Sequence, residues 1–313
     1  MGSASNIRLP VINLTEEILR SGKDSWTEAR NTVTRAFEEY GCFIAVHDKY
    51  PSEVSDSIFS ELQDLFNLPL EIKVQNTSQT PLFGYYGPNP YLPLYESTSI
   101  EDAINLEAVQ KFTNQMWPSK NNHFCELLHC YANQVAELDK MVSKLVFESY
   151  DVEKYHESHV GSVTYFLRFT KYRVPEQNET KLGATPHTDK NFITILQQNE
   201  VDGLEVQLKN GSWIPVDFPP SSVVIMAGDA FSAWSNGRVH PPFHRVTMKG
   251  KGRGRYSIAQ FSYCKKLVEA PTELVDDEHP LLYKPFDSLG FLRFTSTDEG
   301  RKTQNPLKAY CGI

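Results

Sequence analysis

His187 and Asp189 stand two residues apart in Pro186-His187-Thr188-Asp189, and on an extended backbone alternate side chains point to the same face. An imidazole and a carboxylate at that spacing can take two neighbouring positions on one metal ion. A third ligand must come from another strand, and His244 opens an apolar run in Phe243-His244-Arg245-Val246. Two imidazoles and one carboxylate on a single face of an octahedral ion leave three positions open. The chain has nine histidines, so none of these residues is informative alone. For an isolated His-x-Asp, a turn with a solvated Asp and a half-buried His is the plainer reading.

A second group of residues changes that reading. Arg255-Tyr256-Ser257 opens the run that ends at Phe261, and alternation puts Arg255, Ser257, Ala259 and Phe261 on one face. A buried guanidinium clamps a carboxylate through two parallel hydrogen bonds, and the nearby hydroxyl adds a donor. Such a pair is a seat for the far carboxylate of an organic diacid. Combined with the three-ligand face, it points to non-haem Fe(II) oxygen chemistry. The same ligand types also suit catalytic zinc, although no His-Glu-x-x-His run is present.

The elements that must position these residues differ between the two halves. Upstream, the spacing predicts helices. Ser25-Trp26-Thr27-Glu28 has the form of a capping box ahead of Val33, Ala36, Phe37 and Tyr40. A second helix is expected from near Ser52 to before Pro69, and a long one over roughly Asn122 to Tyr150. Cys42 to Val46 reads as a strand, and the Tyr-, Pro- and Gly-rich stretch from Thr80 to Pro93 as loop. Downstream of residue 160 the apolar runs become short and β-branched, from Val163 to Phe169 through to Ser257 to Tyr263. Asn210-Gly211 and Asn236-Gly237 between such runs are expected to form hairpin turns. The fold class expected is α+β: a double-stranded β-helix (jelly-roll) core flanked by helices, with a mainly helical N-terminal region. Three regions are expected, residues 1–158, 159–268 and a C-terminal extension 269–313 that packs back on the core.

Composition narrows the partners. The 313 residues carry 40% hydrophobic and 22% charged side chains with a net charge of -8, which argues against nucleic acid or anionic membrane as a partner. No stretch reaches the ~18 apolar residues of a membrane span. Met1–Asn6 lacks an apolar leader. The basic run Lys249 to Arg255 reads as a solvated loop. Five scattered cysteines without a CxxC pair suit a reducing compartment. A cytoplasmic monomer acting on a small molecule is expected.

The motif set resembles the plant 2-oxoglutarate/Fe(II)-dependent dioxygenases. Their pattern is His-x-Asp, about fifty-five residues, His, ten residues, Arg-x-Ser; here 54 residues separate Asp189 from His244 and ten separate His244 from Arg255. Gly211-Ser212-Trp213, Ala227-Gly228-Asp229, Trp234-Ser235-Asn236-Gly237-Arg238 and the opening Leu9-Pro10-Val11-Ile12 agree with the same family. Pro241-Pro242-Phe243-His244 and Val275-Asp276-Asp277-Glu278-His279-Pro280 look like the AOP-like, specialised-metabolism branch. One departure is Thr170-Lys171-Tyr172, where the family has Asn-x-Tyr; the tyrosine is kept and the asparagine is not.

The resemblance implies that His187, Asp189 and His244 hold Fe(II), and that Arg255, Ser257 and Tyr172 bind 2-oxoglutarate. It further implies that 2-oxoglutarate and O2 become succinate and CO2, with ascorbate supportive, while an unactivated C–H bond of a small plant metabolite is oxidised. Hydroxylation, desaturation, ring formation and demethylation all stay open. Asp189 argues against halogenation, because related halogenases lack that carboxylate. The family counterpart of Phe261 lines the substrate site. Tyr85, Tyr86 and Trp117 are further candidates for an aromatic lid, with ordinary packing the plainer reading of each. An Fe(II)/ascorbate oxidase of the same fold that does not use 2-oxoglutarate, and a non-catalytic ligand-binding module, are the alternatives.

Overall fold

The computed structural model describes residues 7–17, 22–48, 52–249 and 252–313; Met1–Asn6 and the Gly250-Lys251 step of the basic run lie outside them. Eleven strands are present among the described residues. They are β1 (Val11–Asn13), β2 (Cys42–Val46), β3 (Tyr95–Glu101), β4 (Val163–Tyr172), β5 (Leu182–His187) and β6 (Ile193–Gln198). They continue with β7 (Leu204–Gln207), β8 (Trp213–Pro215), β9 (Ser222–Ala227), β10 (His244–Thr247) and β11 (Arg255–Cys264). A seven-stranded sheet has the order β1-β2-β9-β6-β11-β4-β3, and a four-stranded sheet has the order β5-β10-β7-β8. All pairings are antiparallel except β1 with β2. The expected α+β jelly-roll architecture is therefore present.

Strand alternation divides the core. In β9, Val223, Ile225 and Ala227 face the helices, while Val224 and Met226 face the smaller sheet. Phe43 and Ala45 of β2 join the first set, and Cys42 and Ile44 the second. The Asn122–Ser149 helix lies on the outer face of the large sheet and buries Leu128, Val135, Leu138, Val142 and Leu145. Asn121 caps it by accepting from the Phe124 amide. The small sheet packs Leu204, Val206, Ile214 and Val246 against the opposite face. Between the two sheets an open mouth remains.

Several local expectations change. The Lys23–Glu39 helix starts at Gly22 with no side-chain cap, so Ser25 sits inside the first turn and the capping box does not form. That helix stops at Gly41, whose φ is +73° and whose added Cβ would lie 1.9 Å from the His240 carbonyl, so only glycine fits. Asn210-Gly211 does join β7 to β8, but only Gly211 has positive φ; the turn is a bulged one rather than type I′. Asn236 and Gly237 both have positive φ, yet they end the Asp229–Trp234 helix and make no hairpin. β3 was not legible in its polar sequence Tyr-Glu-Ser-Thr-Ser-Ile-Glu. It forms because its backbone completes the edge of β4.

One buried acid links the long helix to the sheet. Asp139 is 4% exposed and accepts a 3.0 Å hydrogen bond from the Tyr165 hydroxyl. Burial pushes its carboxyl up to about 7. An unfolded aspartate titrates near ~4, so between ~4 and 7 the folded chain holds a proton that the unfolded chain has lost. Stability falls as pH rises through that window. Asp139→Asn cannot ionise, and is expected to be more stable than wild type by ~4 kcal/mol above pH 7, with the gap closing towards pH 4. Urea unfolding across that range checks this; a gap independent of pH would contradict it.

Candidate active site

The mouth between the sheets is a cavity of about 520 Å³, within the size range of small-molecule sites. His187 ends β5 and His244 begins β10, and the two are cross-strand partners. Asp189 follows in the loop before β6. The expectation that alternation on a strand would align His187 and Asp189 holds only in part, because the strand ends at His187. The loop beyond is fixed otherwise. The Asp229 amide donates to the Asp189 carbonyl at 2.8 Å, and the Asp229 carboxylate accepts from Thr188 Oγ1 at 3.1 Å and Lys190 Nζ at 2.7 Å. Gly228 allows this approach, since a Cβ there would meet the Asn191 carbonyl at 2.0 Å.

The three side chains converge. Asp189 Oδ1 lies 3.8 Å from His187 Nε2 and 3.7 Å from His244 Nε2, and one ligand atom from each lies within 4.8 Å of the others. The Nδ1 atoms face backbone carbonyls, Thr185 at 2.7 Å and Pro242 at 3.3 Å. A carbonyl can only accept, so each Nδ1 carries the proton and each Nε2 offers its lone pair to the centre. Thr194 Oγ1 donates to Asp189 Oδ2 at 2.6 Å, leaving Oδ1 turned to the imidazoles. Burial opposes the Asp189 charge, yet the facing imidazoles of His244 and His187 and the Thr194 hydroxyl hold its carboxyl below the usual range. Burial, and then His244, keep the His187 imidazole well below its ordinary value, although its side chain is open on the cavity side. A neutral imidazole pair with an ionised carboxylate is the donor set a divalent ion needs. Thr194→Val should weaken divalent-metal binding by about 10–100-fold while the fold persists. Anaerobic Fe(II) titration reads this, and unchanged affinity would show that the hydroxyl does not orient Asp189.

The other group forms at the far end of the cavity. Arg255 is fully buried, a rare setting for a guanidinium. Its Nε donates to Gln198 Oε1 at 3.0 Å and one Nη lies 3.4 Å from Ser257 Oγ. Among the described residues the second Nη has no hydrogen-bond partner. Tyr172 pairs with Arg255 across β4 and β11 and stacks against it, guanidinium carbon to ring centre 5.2 Å. Burial lowers the Arg255 pKa, with the Tyr172 hydroxyl opposing. Gly183 keeps the ring in place, because a Cβ there would come within 2.6 Å of Tyr172 Cδ1. An unpartnered N–H on a buried cation facing a cavity is a seat for an external carboxylate.

Phe261 and Tyr86 line the cavity, as do Tyr172, Ser257 and the His-Asp-His group. Tyr85 and Trp117 do not. Tyr86 is bridged to Ser97 of β3, and its neighbour Tyr85 turns to the other side, where its hydroxyl donates to Glu96 at 2.9 Å. Trp117 packs on Phe124 with ring centres 4.8 Å apart, inside the helical layer. Thr194, Gln198 and the Lys190–Asp229 pair were not legible in the sequence: Gln198 and Lys190 find partners 57 and 39 residues away, and Thr194 meets Asp189, five residues before it, only across the irregular turn that follows β5. Arg168 also lines the cavity, and its place four residues before Tyr172, on the same strand face, was the available signal.

A jelly roll with two imidazoles and a carboxylate at its mouth, and a buried arginine behind them, defines the architecture of non-haem iron oxygenases. Sequence comparison agrees: the signature of the 2OG-Fe(II) oxygenase superfamily matches residues 162–263, and that described as non-haem dioxygenase in morphine synthesis N-terminal matches residues 9–119. The chain belongs to the 2-oxoglutarate/Fe(II)-dependent oxygenases, and its class is that of a 2-oxoglutarate-dependent dioxygenase. It is 44% identical to the probable 2-oxoglutarate-dependent dioxygenase AOP1.2 of Arabidopsis thaliana, over 98% of this chain and 97% of the relative. It is 31% identical to the 2-oxoglutarate-dependent dioxygenase AOP3 of the same plant, over 100% and 99%. Among solved structures it resembles the rice dioxygenase for auxin oxidation, with TM-score 0.82, 29% identity, and 98% and 100% of the two chains covered. The Arabidopsis dioxygenase for auxin oxidation 1, solved as a 2-oxoglutarate binary complex, aligns with TM-score 0.79 and 31% identity over 87% and 99%.

Proposed function

We propose that this chain oxidises an unactivated C–H bond of a small plant specialised metabolite, by hydroxylation, desaturation, ring formation or demethylation, in the cytosol. His187, Asp189 and His244 hold the iron, and Arg255, Ser257 and Tyr172 hold the co-substrate. The observation that carries the reading is the buried Arg255 with its unpartnered N–H, facing the same cavity as the His-Asp-His group. Bound there, Fe(II) and 2-oxoglutarate supply the activation of O2 that C–H oxidation requires.

The chain's own residues do the positioning. Thr194 takes one oxygen of Asp189 and presents the other to the metal. Thr185 and Pro242 fix the imidazole tautomers. Arg255 and Ser257 give the far carboxylate of 2-oxoglutarate a charged and a hydroxyl partner, which orients the diacid along β11. Phe261 and Tyr86 shape the apolar end of the cavity and exclude water there. A His187 imidazole held well below its ordinary value suits metal binding at neutral pH. No helix among the described residues is long and apolar enough to cross a membrane.

The test is to incubate anaerobically purified protein with Fe(II), 2-oxoglutarate and a plant metabolite extract, then admit O2. Succinate formation should rise with the extract, and one metabolite should gain an oxygen, lose two hydrogens or lose a methylene. Absence of substrate-dependent succinate would sink this reading and favour an Fe(II) oxidase that does not use 2-oxoglutarate.

A further inference from the structure

β4 and β11 form one wall of the cavity as a ladder of opposed pairs. From the inner end outward these are Tyr172 with Arg255, Thr170 with Ser257, Arg168 with Ala259, and Phe166 with Phe261. All eight side chains line the cavity. The first two rungs belong to the co-substrate end. The third presents a second guanidinium, two rungs and ~13 Å of strand away from the first. Its opposite number is Ala259, the smallest side chain that a strand can set there short of glycine, so space is left above Arg168.

The surroundings of Arg168 are aromatic rather than acidic. Its guanidinium carbon lies 5.2 Å from the ring centre of Phe166 and 5.6 Å from that of Phe261. One Nη donates to the Leu82 carbonyl on the cavity lip. Among the described residues Arg168 has no carboxylate partner. The other cations on the wall are committed: Lys190 is paired with Asp229 at 2.7 Å, and Arg255 faces the co-substrate. Asp189 is turned to the imidazoles. Beyond Phe261 the wall is continued by Tyr263, which lies within electrostatic reach of both Arg168 and Asp189. Arg168 therefore lines the same cavity as the His-Asp-His group and does not stand at a remote surface.

We infer that Arg168 is the seat of a carboxylate on the substrate, and that the enzyme acts on a small monoanionic acid whose apolar body lies against Phe166 and Phe261. A guanidinium flanked by aromatic faces and short of hydrogen-bond partners is suited to a planar anion. With one uncommitted cation on this wall among the described residues, a monoanion balances it and a dianion does not. The inference rests on the proposed function for the identity of the reacting centre, but Arg168 is a different group from those that hold metal and co-substrate.

Three probes with one body separate the possibilities: 3-phenylpropanoate, 2-phenylethanesulfonate and 3-phenylpropanamide. Binding is measured by calorimetry on protein loaded with redox-silent Mn(II), with and without saturating 2-oxoglutarate. The carboxylate should bind at least about tenfold tighter than the amide. That preference should vanish in Arg168→Gln, persist largely in Arg168→Lys, and survive in Arg255→Gln. Amide binding should be equal in wild type and Arg168→Gln, which a collapsed Leu82 lip would not allow. Equal binding of carboxylate and amide, or loss of the preference in Arg255→Gln but not Arg168→Gln, overturns the assignment. A sulfonate bound as well as the carboxylate overturns the carboxylate class. The visible absorption band of the Fe(II)–2-oxoglutarate complex, expected in wild type and Arg168→Gln alike, reports on the proposed function separately; its absence from wild type would count against that function and leave the probe comparison without 2-oxoglutarate to decide on Arg168.

Discussion

Asp189→Ala is expected to lower Fe(II)-dependent turnover by about a thousandfold or more, which corresponds to ~4 kcal/mol of transition-state stabilisation. The reason is electrostatic before it is geometric. Asp189 is the one anion among the three converging side chains, and its Oδ1 stands 3.7–3.8 Å from both imidazole nitrogens. Without it, the two neutral imidazoles must hold a dication in a cavity with Lys190 and Arg168 on its wall. Thr194 would lose its acceptor. The fold should survive, because Asp189 is held in place by its own backbone carbonyl on the Asp229 amide. Turnover and bound iron should fall together while the thermal midpoint stays near wild type. Iron retained at wild-type level would show that the ion is held elsewhere.

Arg255→Gln is the second large effect. Removing one member of a buried, charge-assisted pair costs about 2–5 kcal/mol, so 2-oxoglutarate binding should weaken by roughly 30-fold to 3,000-fold. Metal binding should change little, since Arg255 touches Gln198, Ser257 and Tyr172 and none of the His-Asp-His side chains. Titrating 2-oxoglutarate into metal-loaded protein separates the two. Stability need not fall, because a fully buried guanidinium with an unpartnered N–H is itself destabilising when no anion is bound. A variant that is less stable yet binds 2-oxoglutarate normally would make Arg255 a structural residue.

Local spacing carried much of the site. Arg255 and Ser257 were legible because strand alternation puts them on one face, and His187, Asp189 and His244 because their residue types and intervals are those of a metal site, although Asp189 lies in the loop beyond β5. Phe261 shares that alternation, and Tyr172 was implied by the family resemblance alone. Tyr85 and Trp117 lie outside the cavity lining, ordinary packing being the plainer reading of each: adjacent residues on extended backbone point opposite ways, and a tryptophan after a helix has no periodicity to say which layer it enters. The hairpin expected at Asn236-Gly237 failed because positive φ marks a reversal of the chain without saying what the reversal joins.

The sequence by itself determined most of the elements, β3 excepted, and the types of ligand, since both depend on residues near one another in the chain. Tertiary structure alone decided what surrounds them. Gln198 on Arg255, Asp229 on Lys190 and the surroundings of Arg168 all depend on which distant segments become neighbours. That choice is made by burial across whole sheets, with β11 between β4 and β6 and with β10 against β5. Burial also turns ordinary side chains into unusual ones: it lifts Asp139 to about 7 and leaves Arg255 an N–H with no hydrogen-bond partner among the described residues.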